Sequence, residues 1–560
     1  MLLFSQTEMH AQNLANIGKG KALGMSGGIN ANTVFYDASG IENRRDPFNY
    51  FLSGNLNFSL YDWSVPLTFS YSNQNSSFQQ PFNQYGLSPT YKWITLHAGY
   101  RSMTFSNYTM NGHLFLGGGF DITPTEKLKV SGFYGRLQQA VEEDTLMQNN
   151  VPAYRRMGGG VKVALGDTKR FVEFIIFKAA DDTTSLDVAP VKSDVDPEEN
   201  LVLGLNVGTV LYERLTFKAE LANSAITKDA RAEGVEASNI YDKLHFAFRP
   251  RVSSSYYNAY KASLQYAFTK AGVGFAYERI DPGYRTLGAY YFNNNLESYA
   301  LTGSGVLLDK KARVNVQAGF QRNNLDGDQL NTMGRFSGMI SANYQPTTRV
   351  GINASYSNFQ TVVNFRSQFD YINQVTPYQN LDTLNYRQLA QNANANVNYV
   401  LNESKEKRQN INLNVAFQKT ADEQANIEQP SGAQFYNINS AYTLLLSQHN
   451  LTFNVAANAN FTESQQASNK IFGPSASLRK TFFDKKLSSN LTLSYNNAYL
   501  NGALSSSVTN LRMGANYVWL EKHQFDLSLT RSNRFSPRNE TQQRFSELTI
   551  QFGYSYNFNL

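Results

Sequence analysis

The sequence predicts an all-β fold, in which about 26 antiparallel strands (a range of about 22 to 28) form one sheet that closes on itself. Three observations predict this fold. Apolar and polar residues alternate with a period of two, tight polar turns alternate with longer loops, and no stretch approaches the roughly 18 apolar residues of a membrane helix. Charged residues make up only 17% of the 560 positions and aromatic residues 13%, which argues against a disordered chain.

The period-two alternation defines the strands. Within residues 487–495, leucine and tyrosine alternate with asparagine, threonine and serine, and residues 314–320, 411–417 and 525–529 repeat the pattern. Because successive strand side chains point to opposite faces, each segment has one apolar and one polar face. The polar face consists mostly of Asn, Ser, Thr, Gln and Gly, with few charges. It is therefore predicted to face water.

Twelve tight turns set the strand number. They are predicted at residues 61–63, 90–93, 123–127, 166–170, 212–214, 269–272, 309–311, 345–349, 402–408, 447–450, 484–486 and 521–524. Twelve hairpins give 24 strands, and one strand at 27–36 and another at 545–560 bring the total to 26. Longer loops, such as 181–200, lie between the hairpins. Short turns at one rim and long loops at the other are typical of a transmembrane barrel with periplasmic turns and extracellular loops.

The N-terminus carries a partial export signal. The apolar run is only Leu2 to Phe4, the basic region is missing, and Ala11-Gln12 suits a cleavage site. We therefore predict that residues 1–11 are the end of a truncated signal, with an ordinary disordered N-terminus as the alternative. Residues 12–24 are then a short periplasmic segment, and residues 25–560 form the barrel.

All three tryptophans, Trp63, Trp93 and Trp519, lie beside predicted tight turns. Indole rings prefer the interface between water and membrane, so these residues are predicted to form part of an aromatic girdle. Such a girdle favours a membrane barrel over a soluble sandwich, solenoid or propeller. A soluble fold of that kind would also require internal repeats or similar turn lengths at both ends, and neither is present.

The chain ends in a clean alternation of large apolar and aromatic residues. The residues that define it are Phe552, Tyr554, Tyr556, Phe558 and Leu560. A terminal aromatic strand of this kind resembles the insertion signal that the barrel-assembly machinery reads. We therefore expect outer-membrane lipid and that machinery to be partners of the chain.

Residues 81–120 contain a distinctive set of aromatic, basic and glycine positions. They are Pro89, Tyr91, Lys92, Trp93, Arg101, Gly112 and His113. This segment resembles a stretch of large, porin-like outer-membrane β-barrel proteins of the Bacteroidota. The resemblance implies the fold and an outer-membrane location, and it carries no catalytic residues. Such bacteria O-glycosylate exported proteins at short Asp-Thr/Ser motifs, which residues 144–146 and 382–384 match.

The sequence predicts no enzymatic activity and no cofactor. Cysteine is absent, which excludes disulfides, thiolate metal sites and cysteine nucleophiles. None of the six histidines belongs to a His-Glu-x-x-His pair or lies near a Gly-x-Ser-x-Gly elbow. His97 and His113 are candidates for the Ser–His pair of a barrel phospholipase, but polar histidines of the wall are the favoured interpretation.

One acidic segment contains enough carboxylates to be considered as a metal site. Between Asp181 and Glu199 lie seven carboxylates and a single lysine, Lys192. Hard cations such as Ca²⁺ take several oxygen ligands, so a calcium site is one hypothesis. The spacing of the carboxylates does not match that of an EF-hand loop, and a solvated acidic loop is the favoured interpretation. The net charge of +6 over this length gives no indication of nucleic-acid binding.

Two functions of different class fit these features. The first is a passive channel or transport protein whose wide lumen is constricted by its own loops, with residues 224–257 and 360–386 as candidates. The second is a scaffold or pore subunit of an outer-membrane export or assembly complex, with a partner protein filling or capping the barrel. Energised uptake is not favoured, because transporters of that class place a folded plug domain before the barrel, and only about 25 residues precede the first strand here.

Basic residues recur at the tight turns. They are Lys169, Arg170, Lys310, Lys311, Lys485 and Lys486. Such a rim would steer anions toward the periplasmic mouth, although a solvated rim is the simpler interpretation.

Overall fold

Antiparallel strands make up most of the chain that the computed structural model describes. The described residues are 23–60, 63–73, 84–143, 152–188, 190, 195–236, 240–244, 246–290, 294–323, 325–326, 334–358, 389–421, 423–424, 427–428, 432–464, 467–538 and 541–559. Two short 3₁₀ turns, Ile240–Leu244 and Ser447–His449, lie between strands. No helix in this part of the chain has the length and apolar character needed to cross a membrane.

The large sheet contains 26 strands. They are β1 (Leu23–Ser39), β2 (Phe48–Leu60), β3 (Trp63–Ser72), β4 (Gln84–Leu87 and Thr90–Tyr91), β5 (Ile94–Thr104), β6 (Asn111–Thr125), β7 (Leu128–Gln138), β8 (Arg155–Gly166), β9 (Phe171–Asp182), β10 (Glu199–Leu211), β11 (Leu215–Thr227), β12 (Ser254–Ala267), β13 (Ala271–Ile280), β14 (Leu296–Leu307), β15 (Ala312–Arg322), β16 (Gly334–Thr347), β17 (Val350–Ser357), β18 (Leu389–Glu403), β19 (Lys407–Ala421), β20 (Ala433–Leu446), β21 (Leu451–Ser464), β22 (Ser468–Phe482), β23 (Leu487–Leu500), β24 (Ala503–Trp519), β25 (His523–Arg538) and β26 (Thr541–Asn559). β4 is interrupted at Ser88-Pro89, where proline cannot donate a ladder hydrogen bond. A separate ribbon, Glu423–Gln424 with Ile427–Glu428, lies between β19 and β20.

The sheet closes on itself. Each strand pairs with its neighbours in the chain, and the last strand pairs with the first along a register from Ser26–Asn559 to Ser39–Ser546. The prediction of one closed antiparallel barrel of 26 strands is confirmed. β1 begins at Leu23, two residues before the predicted start of the barrel, because its ladder with β2 already begins there. Residues 1–22 lie outside the described residues, so the export signal stays a prediction.

The two faces of the wall differ as the alternation predicts. On β23, Leu493 is 51% exposed and points outward, whereas its neighbour Ser494 is 4% exposed and points into the lumen. Large exposed apolar side chains recur on the outward face from β1 to β26. An apolar outward band on a closed sheet is the architecture that spans an outer membrane, since no backbone edge is left unpaired. The chain is an outer-membrane β-barrel.

The twelve predicted tight turns join strands at one end of the barrel, here called the turn rim. Several place non-glycine residues in the left-handed region, as Tyr212 (φ 50°) and Glu213 (φ 57°) do between β10 and β11. Two such residues match the twist of a hairpin. The opposite end, the loop rim, carries the long connections 183–198, 228–253 and 281–295.

The loop rim is uneven. β21–β22, β23–β24 and β25–β26 are joined by residues 465–467, 501–502 and 539–540 alone, so the predicted long loops do not extend around the whole rim. Asn501 (φ 50°) and Gly502 (φ 85°) explain the second of these connections, because Asn-Gly is the preferred two-residue hairpin turn.

Candidate functional site: the lumen of the barrel

Two connections at the loop rim fold into the lumen rather than away from it. Residues 105–110 join β5 to β6, and residues 281–290 belong to the connection between β13 and β14; together these two segments are called the paired inner loops. Their apolar side chains Tyr108, Met110, Tyr284 and Leu287 are at most 3% exposed. The wall residues that they cover belong to one buried cluster, namely Phe115, Phe133, Leu137, Ile175, Phe177, Ala179, Val202, Ala222, Ile226, Ala259 and Ile280.

The covered wall residues lie on the lumen face. On β9, Phe174 and Ile176 are 53% exposed on the outward face, whereas Ile175 and Phe177 alternate with them and are buried. Phe177 pairs with Val202 across the ladder, which continues the same face onto β10. One arc of the inner wall is therefore apolar, and it is kept from water by the paired inner loops.

Hydrogen bonds join the two inner loops to each other. The Tyr284 hydroxyl donates to the backbone carbonyl of Tyr108 at 2.6 Å, and the Thr286 hydroxyl donates to that of Thr109 at 2.7 Å. The backbone N–H of Asn111 donates to the carbonyl of Gly288 at 2.9 Å. Because these groups are buried, each bond satisfies an atom that would otherwise lack a partner. The loops therefore form one unit.

Two fully buried polar wall residues fix this unit to the barrel. Asn200 on β10 accepts a hydrogen bond from the backbone N–H of Leu287 at 3.1 Å. Ser224 on β11 donates to the carbonyl of Arg285 at 2.7 Å, and the Asn200 amide donates to Ser224 at 2.8 Å. Both wall residues are 0% exposed. The segment 281–290 is thus tied to the wall by side chains that have no access to solvent.

A charged layer lies where the first inner loop meets the wall. The Tyr108 hydroxyl donates to Glu278, and the Asn107 amide donates to Glu220 at 3.4 Å. Burial, and then the charge of Glu278, raise the pKa of Tyr108 well above its usual range. Tyr108 therefore remains a hydrogen-bond donor at any physiological pH. Lys261 neutralises Glu278 from the neighbouring strand at 3.4 Å.

The predicted acidic segment contributes to the same anchoring. Arg156 on β8 lies between Asp181 at 2.7 Å and Glu198 at 3.0 Å, and Arg285 of the paired inner loops also binds Glu198. The carboxylates of Asp181 and Glu198 therefore pair with guanidinium groups. Asp182, Asp196 and Glu199 likewise pair with basic side chains, and Asp194 lies outside the described residues. The calcium site stays a prediction. No group of three potential metal ligands occurs in the described part of the chain.

The opposite arc of the lumen is lined by carboxamides. Six asparagines occupy one level of six neighbouring strands, β16 to β21, each paired directly with the next in the ladder. They are Asn343, Asn353, Asn396, Asn414, Asn439 and Asn458, here called the asparagine row. Ile411, Leu413 and Val415 alternate with them and are exposed on the outward face, so the row faces the lumen. Some amides bond across strands, as Asn396 does to Asn412 at 3.2 Å.

The polar wall continues toward the closing seam. A groove of about 460 Å³ lies along β22 to β26 and is lined by polar side chains and two charges, Arg479 and Asp526. Arg479 donates to Ser488 at 3.1 Å, and Asn516 donates to Asp526 at 2.5 Å. Neighbouring polar groups thus engage both charged side chains of this groove.

Within the segment 224–257, predicted to fold inward, the described residues 240–244 and 246–248 instead fold outward. Tyr241 and Phe248 are buried against Leu201, Ala225 and Tyr256, which lie on the outward face of β10 to β12. The prediction was wrong because the outward wall at this level offers an apolar surface and the lumen side is already covered by the paired inner loops. The other predicted constriction, 360–386, lies outside the described residues, as do the two glycosylation motifs.

The three tryptophans are exposed at tight turns, Trp63 and Trp519 at the ends of strands and Trp93 within a turn. Trp63 stacks on Tyr91 with ring centroids 4.9 Å apart, and Trp519 lies 5.0 Å from His523. Their position at the turn rim is the one expected for a girdle, and their contact with lipid stays a prediction. In the terminal strand, Tyr554 bonds the ring of His523 at 2.8 Å. Leu560 lies outside the described residues, and the insertion signal is likewise untested.

The residues of the Bacteroidota-like segment lie at three places on β4 to β6. Pro89 interrupts β4, Tyr91 to Trp93 form a tight turn with Lys92 at φ 50°, and Arg101 is on the lumen face of β5. His113 stacks on Tyr290 of the paired inner loops at 4.0 Å. His113 therefore belongs to the anchoring of these loops, which the sequence did not indicate.

His97 lies in a chain of hydrogen bonds with Ser88 and Asp121. Its ring nitrogens contact the Ser88 hydroxyl at 2.8 Å and the Asp121 carboxylate at 3.1 Å. In a Ser-His-Asp hydrolase the serine is accessible to substrate and the aspartate is buried. Here the order is reversed, because Ser88 is buried and the Asp121 side chain is 29% exposed and also binds Lys129. The chain ties the break in β4 to β5 and β6, in agreement with the favoured interpretation of a wall histidine.

No known family profile and no curated protein matches the sequence. Solved structures with a similar trace include the P pilus usher PapC translocation pore (TM-score 0.38, 9% identity, covering 96% of this chain and 99% of PapC). The FrpB iron transporter of Neisseria meningitidis gives a TM-score of 0.35 at 10% identity, covering 95% and 82%. OccAB2 of Acinetobacter baumannii gives 0.29 at 10% identity, covering 69% and 96%. No conclusion about activity follows from similarity at this level.

Proposed function

We propose that the chain is a passive outer-membrane channel for polar, water-soluble solutes, and that the paired inner loops narrow its lumen. Barrel diameter grows with strand number, and 16–18 strands already leave an aqueous channel. A 26-strand barrel therefore requires a constriction if it is to exclude large molecules. The observation that carries the proposal is the unequal wall, with an apolar arc covered by the paired inner loops and an opposite arc lined by carboxamides.

The packing of the paired inner loops supports a fixed constriction rather than a mobile lid. Tyr108, Met110, Tyr284 and Leu287 bury large side chains against the wall. Burying each large apolar side chain stabilises the packed state by about 1.5–3 kcal/mol. Opening would also expose the buried bonds to Asn200 and Ser224. The passage in this proposal therefore runs along the arc that carries the asparagine row.

The chemistry of that arc supports polar solutes. A carboxamide offers both a donor and an acceptor and carries no charge. Along such a wall a solute can exchange contacts with water for contacts with amides. No charged side chain has to be desolvated in this exchange. Most aromatic side chains of β16 to β21 point outward, and the exception is Phe435, which shares the lumen face with Asn439 and is 40% exposed near the loop rim. Weak, distributed interactions of this kind suit passage rather than tight binding.

Planar-bilayer conductance tests the proposal. In the test variant, residues 282–290 are replaced by a short Gly-Ser linker, which removes the half of the constriction that contains Tyr284. We expect conductance from the wild-type barrel and a clear increase in the variant. Shortening the outward-folded segment 236–250 is the matched control, and its conductance should equal that of the wild type.

Two results would count against the channel. One is the absence of conductance in both the wild type and the linker variant, and the other is an equal conductance in the two. If the purified barrel conducts in neither form and a second protein co-purifies with it at fixed stoichiometry, the scaffold or pore-subunit hypothesis becomes the better explanation.

A further inference from the structure

The first connection of the loop rim, residues 40–47, folds over the inner face of the closing seam. Gly40 has φ 88°, and a Cβ at this position would lie 2.5 Å from the carbonyl oxygen of Arg544 on β26. The guanidinium of Arg45 donates to the Thr549 hydroxyl at 2.9 Å. This connection therefore bridges β1 and β26 from the lumen side, at the mouth of the barrel.

Three guanidinium groups and a single buried carboxylate lie in this region, and the guanidinium groups lie over aromatic rings. The Tyr36 hydroxyl donates to Glu547 at 2.6 Å, and Glu547 is only 5% exposed. The Arg45 guanidinium lies 4.0 Å from the centre of the Tyr36 ring. Arg44 and Arg534 lie 5.0 Å and 5.9 Å from the centre of one phenyl ring, that of Phe545. We call Arg44, Arg45 and Arg534 the arginine cluster.

The arginine cluster lies on the lumen face. Arg534 pairs in the ladder with Phe545, and Phe545 shares its face with the buried Glu547. The outward face of β26 carries Ile550 and Phe552, which alternate with these residues; Phe552 is 43% exposed. A solute at the mouth of the barrel would therefore meet these cations before it reached the asparagine row.

Two members of the cluster lack a carboxylate partner. Within the described residues, neither Arg44 nor Arg534 has a carboxylate within 4.0 Å, and the one side-chain hydrogen bond of Arg534 is to Ser506 at 3.5 Å. Two other lumen arginines form ion pairs, Arg156 with Asp181 and Arg322 with Glu297. The acidic residues of the connection, Glu42 and Asp46, form no ion pair with Arg44 or Arg534. The charge of Glu547 acts on Arg534, and the three cations of the arginine cluster outnumber this single buried carboxylate.

We propose that the arginine cluster is a binding site for an oxyanion group, such as a phosphate, sulfate or carboxylate, carried by a soluble molecule that enters from the loop rim. A guanidinium that stacks on an aromatic ring uses its face for that contact. Its N–H edges remain available, and their planar fork matches the oxygens of such a group. An oxyanion between Arg44 and Arg534 would supply the missing counter-charge. The route by which it arrives rests on the proposed channel, whereas the binding itself does not.

Isothermal titration calorimetry of the detergent-solubilised barrel with inorganic pyrophosphate tests the site, because it measures both the stoichiometry and the affinity of binding. We expect one pyrophosphate per barrel in the wild type. Because each variant removes one charge-assisted hydrogen-bonding partner, Arg44→Gln and Arg534→Gln should each weaken binding by about tenfold. The matched control is Arg479→Gln, which removes a lumen arginine outside the cluster and should bind like the wild type. A difference in electrophoretic migration between unheated and heated samples reports whether each variant is folded.

Three outcomes would overturn the proposal. They are the absence of pyrophosphate binding in the folded wild type, unchanged affinity in the folded Arg44→Gln/Arg534→Gln double variant, and an equal loss in Arg479→Gln. A parallel titration with dihexanoyl phosphatidic acid separates a lipid headgroup from a soluble oxyanion, and tighter binding of the lipid would refute the assignment to a soluble molecule. Because titration does not depend on conductance, a barrel that binds pyrophosphate but does not conduct would refute the channel and leave the site in place.

Discussion

Gly288 provides the sharpest test of the paired inner loops. A Cβ at this position would lie 2.6 Å from the carbonyl oxygen of Thr109, 2.9 Å from Cζ of Phe177 and 3.1 Å from Cα of Met110. Two of these atoms belong to the backbone of the other inner loop and cannot rotate away. Gly288→Ala should therefore separate the two loops or lift them from the wall.

The magnitude follows from overpacking. Inserting a methyl group into a closely packed contact costs about 1–3 kcal/mol. The separation also weakens the bond from the Asn111 N–H to the Gly288 carbonyl, whose length is 2.9 Å. A shift of about 2 kcal/mol raises the population of the opened loops by roughly 30-fold. The barrel itself should stay folded, because its ladder hydrogen bonds are not involved.

Limited trypsin digestion measures this opening. Arg285 lies within the same loop and is the cleavage site whose accessibility should rise, and mass spectrometry identifies the resulting peptides. When opening is fast relative to cleavage, the cleavage rate follows the opened population. Gly303→Ala is the matched control, since a Cβ at Gly303 meets nothing within 4 Å. Equal cleavage at Arg285 in the wild type and Gly288→Ala, or an equal rise in Gly303→Ala, would refute the reasoning.

Three further predictions concern the wall. Asn200→Ala removes the acceptor of the Leu287 N–H and should lower the stability of the packed loops by about 1–3 kcal/mol, read as faster cleavage at Arg285, whereas unchanged cleavage would contradict it. Gly117→Ala would place a Cβ 2.1 Å from the Tyr134 carbonyl and should prevent folding, while Gly118→Ala, with its nearest atom at 3.7 Å, should fold normally in the same gel-migration assay. Because the chain has no cysteine, Asn353→Cys should react quickly with a water-soluble maleimide and Ala222→Cys slowly; similar rates would mean that the apolar arc is not covered.

The strands could be predicted from the sequence because the signals that define them are local. Period-two alternation and polar turns each involve a few neighbouring residues, and every predicted turn falls where one observed strand ends and the next begins. Closure of the sheet followed from the even strand number and the need to pair every backbone group. The direction in which a loop folds could not be predicted in this way, since it depends on contacts between distant parts of the chain.

The loop 228–253 illustrates that dependence. Its length suggested a constriction, yet Tyr241 and Phe248 pack on the outward wall, where Leu201 and Tyr256 supply matching apolar surface. The short connection 105–110, for which the sequence predicted no inward fold, supplies two buried side chains, Tyr108 and Met110, to the lumen. Apolar residues within a connection were the available signal in both cases, and the sequence did not indicate which wall they would meet.

A second signal lies in the strands themselves and indicates which arc of the wall is covered. In β9, residues 174–177 are apolar at four consecutive positions, so that strand is apolar on both faces. In β19, Ile411, Leu413 and Val415 alternate strictly with asparagine and alanine. A strand with two apolar faces is stable in a membrane barrel only if the lumen face is covered by protein, because exposure to water would oppose folding. Departure from strict alternation at β9 and β10 therefore marks the arc that the paired inner loops cover, whereas β19, on the opposite arc, retains the alternation.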